Sequence, residues 1–208
     1  MSNLPSDLIR IVDDDPTVCA SLTFVLQIAG FDVVSYNSAD LFLSQASGLR
    51  PGCILLDVKM PGKSGLELFQ ELRRNQDLQL PVIFLTGHGD IEMAVQALHE
   101  GAFDFLVKPA DPQRLLAIVT KAVELSKTLR RERREAREIE ELMAKLTPAE
   151  LQVAQMMAKG LTVKTIAQAL EVSEQAVKSH RSSIYHKLDA INPVEVAVIV
   201  NDWLRGRQ

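Results

Sequence analysis

Five short apolar runs, each followed by a stretch of helical periodicity, occupy the first half of the chain. They are Leu8 to Val12, Phe31 to Ser35, Cys53 to Leu56, Pro81 to Leu85 and Phe103 to Val107. Amphipathic helices are predicted at Thr17 to Ala29, Ser38 to Ser47, Ser64 to Asn75 and Asp90 to Glu100, and a fifth opens at Asp111-Pro112. Apolar runs without alternation, bounded by turn residues such as Pro51-Gly52 and Pro61-Gly62, are the pattern of strands buried on both faces. Strict strand–helix alternation predicts an open parallel sheet of flavodoxin-like (βα)5 type covered by helices on both sides.

Such sheets gather their chemistry where the strands end. Asp13 and Asp14 follow the first run, Asp57 the third, Thr86 the fourth and Lys108 the fifth. Singly, each has a plain structural reading: Asp57 as a turn cap, Thr86 as a turn hydroxyl, Lys108 as a solvated amine. Adjacent carboxylates at one strand end repel unless a cation neutralises them, so Asp13 and Asp14 point to a hard metal. Asp15 before Pro16 reads instead as an N-cap with the favoured first-turn proline. Three acids here also exclude a phosphate-cradling glycine loop.

From Asp111 the helical pattern runs without a breaker to Lys145 through Arg130-Arg131-Glu132-Arg133-Arg134. Leu125, Leu129, Glu132, Ala136, Ile139, Met143 and Leu146 keep a four–three spacing. Two readings stand: a solvated helix laced by ion pairs, or a short dimeric coiled coil. Beyond it, Thr147-Pro148-Ala149-Glu150 carries a capping box and opens a helix closed by Gly160. Helices at Thr162 to Ala169 and from Ser173 to Leu188 flank a tight turn at Leu170-Glu171-Val172, and a last helix runs from Pro193 to about Arg205. Val177, Ile184 and Leu188 are predicted to face inward, with Lys178, Ser179, Arg181, Ser182 and His186 outside. A polar, basic helix after a three-residue turn is the helix-turn-helix arrangement, with its second helix suited to the major groove.

The charge distribution agrees with this division. Residues 1–124 hold 9 Lys and Arg against 16 Asp and Glu, and residues 125–208 hold 14 against 11. The acidic half repels nucleic acid and the mildly basic half tolerates it. Nothing approaches the ~18 apolar residues of a membrane span or a signal peptide, so a cytoplasmic protein is expected. Cys19 and Cys53 lack metal or redox spacing and are expected to be reduced core thiols.

The motifs Val12-Asp13-Asp14-Asp15, Leu56-Asp57-Val58-Lys59-Met60-Pro61-Gly62, Leu85-Thr86-Gly87-His88-Gly89 and Val107-Lys108-Pro109 resemble those of a response-regulator receiver domain, over about residues 5–124. That resemblance implies that Asp57 accepts a phosphoryl group from a sensor histidine kinase. It implies Mg²⁺ (or Mn²⁺) held directly by Asp14 and through water by Asp13, with Asp57 and the backbone carbonyl of Lys59 completing the site. Thr86 and Lys108 would contact the phosphoryl group, and Thr86 and Phe105 would form the switch; Phe105 also reads as ordinary strand core. Lys108-Pro109 matches a cis position, and His88 reads as a rim residue rather than a catalyst.

Leu146-Thr147-Pro148, Glu150, Gly160-Leu161-Thr162, Ile166-Ala167, Val172-Ser173-Glu174, Val177-Lys178, His180 and Lys187-Leu188 resemble the LuxR-type DNA-binding domain of FixJ/NarL-class regulators, over about residues 142–205. Ala149 and Ala176 depart from it, where Arg and Thr are usual. Lys178, Ser179 and Ser182 are then expected at base edges, with Arg181 and Lys164 at phosphates or bases. The domains expected are a receiver at 1–121, a helical linker at 122–145 and an all-α four-helix DNA-binding domain at 146–208. The whole implies a two-component transcriptional regulator with no enzymatic activity beyond its own phosphorylation and dephosphorylation. Its partners would be promoter DNA, RNA polymerase and a second copy on phosphorylation. The alternatives are an aspartyl-phosphate hydrolase, which needs an acid where Lys59 stands, and a helix-turn-helix regulator that ignores phosphorylation.

Overall fold

The computed structural model describes residues 7–45, 50–74, 80–87 and 91–207. The chain forms two compact units, Met1–Arg130 and Arg131–Gln208. In the first, β1 (Leu8–Val12), β2 (Asp32–Tyr36), β3 (Gly52–Asp57), β4 (Val82–Thr86) and β5 (Asp104–Val107) form one parallel sheet in the order β2-β1-β3-β4-β5. Helices α1 (Pro16–Ile28), α2 (Ala39–Gln45), α3 (Gly65–Arg74), α4 (Ile91–His99) and α5 (Pro112–Met143) alternate with the strands. Strand side chains point alternately to two cores. Ile9, Ile11, Leu55, Ile83, Leu85 and Leu106 pack under α1 and α5. Val12, Ile54, Leu56 and Phe84 pack under α2, α3 and α4. Every residue of β3 is buried, as a central strand covered on both faces requires.

Local chemistry sets the element ends. Asp15 caps α1, its Oδ1 accepting from the Thr17 amide at 2.8 Å, with Pro16 in the first turn. At the opposite end of the sheet the Gly52 amide donates to Ser126 Oγ of α5 at 3.1 Å, and Lys127 Nζ lies 3.0 Å from Asp7. Cys53 is buried and Cys19 partly so, both as free thiols.

The second unit holds α6 (Pro148–Ala158), α7 (Val163–Leu170), α8 (Glu174–Leu188) and α9 (Pro193–Arg205) around Val153, Ile166, Val177, Ile184, Val196 and Trp203. Both arms of the capping box form: Thr147 Oγ1 accepts from the Glu150 amide and Glu150 Oε2 from the Thr147 amide. Glu171, at φ +55°, closes α7, and the side chain of Ser173 caps α8.

The end of α5 packs into the second unit. Met143 is buried in the second unit's core, with Ile139, Leu142 and Leu146 packed against it. Trp203 Nε1 donates to Glu140 Oε2 at 2.7 Å. The last three positions of the heptad seam are therefore used by this chain's own helical unit, because a four–three apolar stripe fits any helix groove, not only a copy of itself. Residues 127–138 of α5 are exposed or half-exposed, and Arg134 pairs with Glu138 at 2.8 Å and Arg131 with Glu135 at 3.7 Å. Exposed i,i+4 pairs contribute only about 0.3–0.5 kcal/mol each, enough to sustain a solvated helix.

Candidate functional site

Sheet order decides what meets at the strand ends. β1 and β3 are neighbours in register, Val12 opposite Leu56, so the next residues, Asp13 and Asp57, emerge side by side. β4 follows β3 with Asp57 opposite Leu85, which sets Thr86 one step further, and the Lys108 amide donates to the Thr86 carbonyl at 2.8 Å. Lys108 Nζ reaches back across the mouth to 2.6 Å from Asp13 Oδ2 and 2.8 Å from Asp57 Oδ1. Lys108-Pro109 is cis.

Asp13 has a fully buried side chain; its Oδ1 accepts from the Asp15 amide at 3.0 Å. Its Oδ2 is buried against the Lys108 ammonium. Asp14 is exposed, and one carboxylate oxygen from each of Asp13, Asp14 and Asp57 falls within 4.8 Å of the others. Three carboxylates against one ammonium leave a local charge of −2. At such spacings each like pair costs about 4 kcal/mol with an effective dielectric near 20. A divalent cation cancels that charge, and the donor set, all oxygen and partly open to water, suits Mg²⁺.

Burial pushes the Asp57 carboxyl above the usual carboxylate range; Lys108 pulls it down, and Asp13 and Asp14 push it further up. Burial lowers the Lys108 ammonium, but its hydrogen bonds and charge contacts to Asp13 and Asp57 more than compensate, and it ends above its ordinary value. Thr86 is fully buried, its hydroxyl donating to the Gly87 carbonyl at 2.9 Å. Phe105 is half-buried against the core beneath α2, α3 and α4. Lys59 is exposed between buried Val58 and Met60. His88, Gly89 and the helix start expected at Asp90 lie outside the described residues.

Sequence reading missed Gly65. It opens α3 directly behind Asp57, and a Cβ there would stand 1.9 Å from the Asp57 carbonyl oxygen. The Pro61-Gly62-Lys63-Ser64-Gly65 run advertised a turn, but not this backbone approach.

In the second unit, Lys164, Lys178, Ser179 and Ser182 are exposed as expected, the last three on one face of α8. Arg181 differs: it is only partly exposed, its Nη2 donates to Tyr185 Oη at 2.9 Å, and its guanidinium lies 5.8 Å from the Tyr185 ring centre. The i,i+4 spacing brings the two together, and an aromatic ring holds a guanidinium well. Sequence reading also left Glu150 as a cap alone. It is 5% exposed, and its Oε1 accepts from Ser183 Oγ at 2.5 Å while Oε2 accepts from Lys187 Nζ at 2.6 Å.

Burial pushes the Glu150 carboxyl up, but the hydrogen bonds from Lys187, Ser183 and Thr147 outweigh it and hold it at about 2. A carboxyl lowered from its ordinary 4.5 stabilises the fold fully above that value and loses the contribution as pH falls toward 2. The loss is on the order of 3 kcal/mol. Acid unfolding of the second unit, followed by the fluorescence of Trp203, is expected to fall steeply between pH ~4.5 and ~2. In Glu150→Gln that slope flattens.

The comparisons with known proteins agree with both units. The chain matches the response regulator receiver domain over residues 9–120 and the bacterial regulatory proteins, luxR family, over residues 144–200. The chain belongs to the LuxR-type response regulators. It is 36% identical to the transcriptional regulatory protein FixJ of Bradyrhizobium diazoefficiens, over 88% of each chain. It is 34% identical to the response regulator protein TodT of Pseudomonas putida, over 96% of this chain and 87% of that one. Among solved structures, the response regulator StyR superposes with a TM-score of 0.85 at 36% identity, covering 94% of this chain and 98% of that one. As a response regulator with a DNA-binding unit, it is a phosphorylation-dependent two-component transcription regulator. Among its described residues no helix is long and apolar enough to cross a membrane.

Proposed function

We propose that Asp57 is the phosphoacceptor of this regulator, that a sensor histidine kinase is the donor, and that phosphorylation shifts the chain toward a homodimer that binds promoter DNA in the cytoplasm and acts on RNA polymerase. The supporting observation is the bridge of Lys108 Nζ between Asp13 and Asp57 at the mouth of the sheet. It holds one oxygen of Asp57 and leaves the other open to an incoming phosphorus. A carboxylate oxygen of Asp57 forms a P–O bond as the P–N bond of the donor phosphohistidine breaks, and the imidazole nitrogen keeps that electron pair and takes a proton. Phosphoryl transfer needs positioning and positive charge on the equatorial oxygens more than covalent help. Lys108 supplies one such charge.

Asp13, Asp14, Asp57 and the Lys59 carbonyl are the groups that would hold Mg²⁺, which when bound adds a second positive charge for the phosphoryl oxygens. The new phosphoryl acceptors would compete with the Gly87 carbonyl for the Thr86 hydroxyl, and a shift of Thr86 would give Phe105 room to turn inward. The pocket keeps every group phosphorylation needs, which favours this reading over a regulator indifferent to phosphate.

Two measurements test separate parts. With ~100-fold excess of Mg²⁺ over its dissociation constant, the wild-type receiver gains about 2.7 kcal/mol of stability. In Asp14→Asn most of that gain in melting temperature disappears; an equal gain in both proteins removes Asp14 from the metal site. On DNA, Lys178, Ser179 and Ser182 are assigned to base edges, and Lys164 and Arg181 to phosphates. Arg181→Ala is expected to weaken binding to all sequences alike and lower the salt slope by about one. An unchanged slope assigns Arg181 to Tyr185 alone.

A further inference from the structure

Glu150 is tied to the recognition helix at two points. Ser183 and Lys187 lie one turn apart on α8, and both donate to the same buried carboxylate, whose second arm closes the first turn of α6 through the Thr147 amide. A helix held at one point can pivot; one held at two points a turn apart keeps both its rotation and its rise. Side-chain tips stand about 5–6 Å from the helix axis, so a rotation of 10–20° carries them by roughly 1–2 Å. That exceeds the tolerance of a hydrogen bond to a base edge, whereas a phosphate contact made by a long, flexible side chain adapts.

We propose that Glu150 is a positioning residue for sequence recognition: it sets the phase of α8 so that Lys178, Ser179 and Ser182 meet base edges. Lys187, although basic and on the recognition helix, is a strut to Glu150 and makes no phosphate contact. The inference rests on α8 being the DNA-reading helix.

The test uses the full chain activated with beryllofluoride and Mg²⁺. A duplex is first selected by the wild-type protein from a random pool; affinities for it and for a scrambled duplex of equal length are then measured across salt concentrations. Measurements stay at least 15 °C below each variant's melting temperature. Glu150→Gln and Lys187→Met are expected to lose at least ~10-fold of the preference for the selected duplex, with affinity for the scrambled duplex within about two-fold and an unchanged salt slope. Ser183→Ala keeps the ion pair and is expected to lose ~3-fold, which preserves the test if either charge variant fails to fold. A preference held within two-fold in the variants overturns the positioning role. A salt slope reduced by about one in Lys187→Met overturns the strut and makes Lys187 a phosphate contact. A wild-type protein that selects no duplex overturns the reading of α8 itself.

Discussion

Asp57→Asn is expected to abolish phosphoryl uptake and every response that follows from it. The amide presents no anionic oxygen to phosphorus, and the rate of incorporation from a phosphodonor is expected to fall by more than ~10³-fold, to background. Unfolding is not the cause of that loss. The Asp57 carboxyl sits above its ordinary value because burial, reinforced by Asp13 and Asp14, outweighs the attraction of Lys108. An acid raised on folding is one whose charge disfavours the fold at neutral pH. Replacing it with a neutral amide therefore leaves the melting temperature equal or higher, and Lys108 keeps Asp13 as its partner at 2.6 Å. The measurements are donor-dependent phosphorylation on a phosphate-affinity gel, thermal melting, and dimerisation and DNA binding with and without the donor. An Asn variant that still dimerises and binds DNA in response to the donor would falsify the assignment of Asp57.

The second large effect comes from a methyl group. In an ordinary helix Gly→Ala gains about 1 kcal/mol. At Gly65 the added Cβ would lie 1.9 Å from the Asp57 carbonyl oxygen and 2.9 Å from its carbonyl carbon, so α3 or the end of β3 has to move by about 1 Å. Neither yields easily: the Gly65 amide donates to the Val58 carbonyl at 3.1 Å, and Leu68, Phe69 and Leu72 fasten α3 to the core. Gly65→Ala is expected to cost about 2–4 kcal/mol, or roughly 10 °C in melting temperature. Phosphorylation is expected to slow by ~10–100-fold, because the displaced atom belongs to the proposed nucleophile's residue. Gly62→Ala is the control. Gly62 sits at φ +77° with nothing within 4 Å, so backbone strain of about 1 kcal/mol is all that a methyl adds there. Equal melting for Gly65→Ala and wild type would show that the close approach relaxes at no cost.

What the sequence disclosed and what it withheld divide by range. Strand–helix alternation announced the sheet because burial on both faces leaves uninterrupted apolar runs, and element ends moved by only a residue or so, as with β2 starting at Asp32 rather than Phe31. Asp13, Asp14, Asp57, Thr86 and Lys108 were legible because each directly follows a run whose end topology brings to one mouth. The helix caps at Asp15, Thr147 and Ser173 act within three residues and were equally plain. Contacts between distant positions were not. Glu150 meets Ser183 and Lys187 at separations of 33 and 37 residues, and Trp203 meets Glu140 at 63. Nothing in local spacing names such partners. The contact of Arg181 with Tyr185 escaped for another reason: helical periodicity gives a residue's angle around the axis, and a long side chain can fold along the surface from there.

The absorption of Met143, Ile139 and Leu142 into the helical core bears on how such proteins can be recombined. A graft that exchanges the DNA-binding half at residue 145 would strip a wall from its hydrophobic interior and leave Trp203 without the acid that receives its indole hydrogen. A splice within 127–138, where no side chain is buried, leaves both interiors whole. The exposed reach of α5 is thus the natural seam along which input and output halves could be traded.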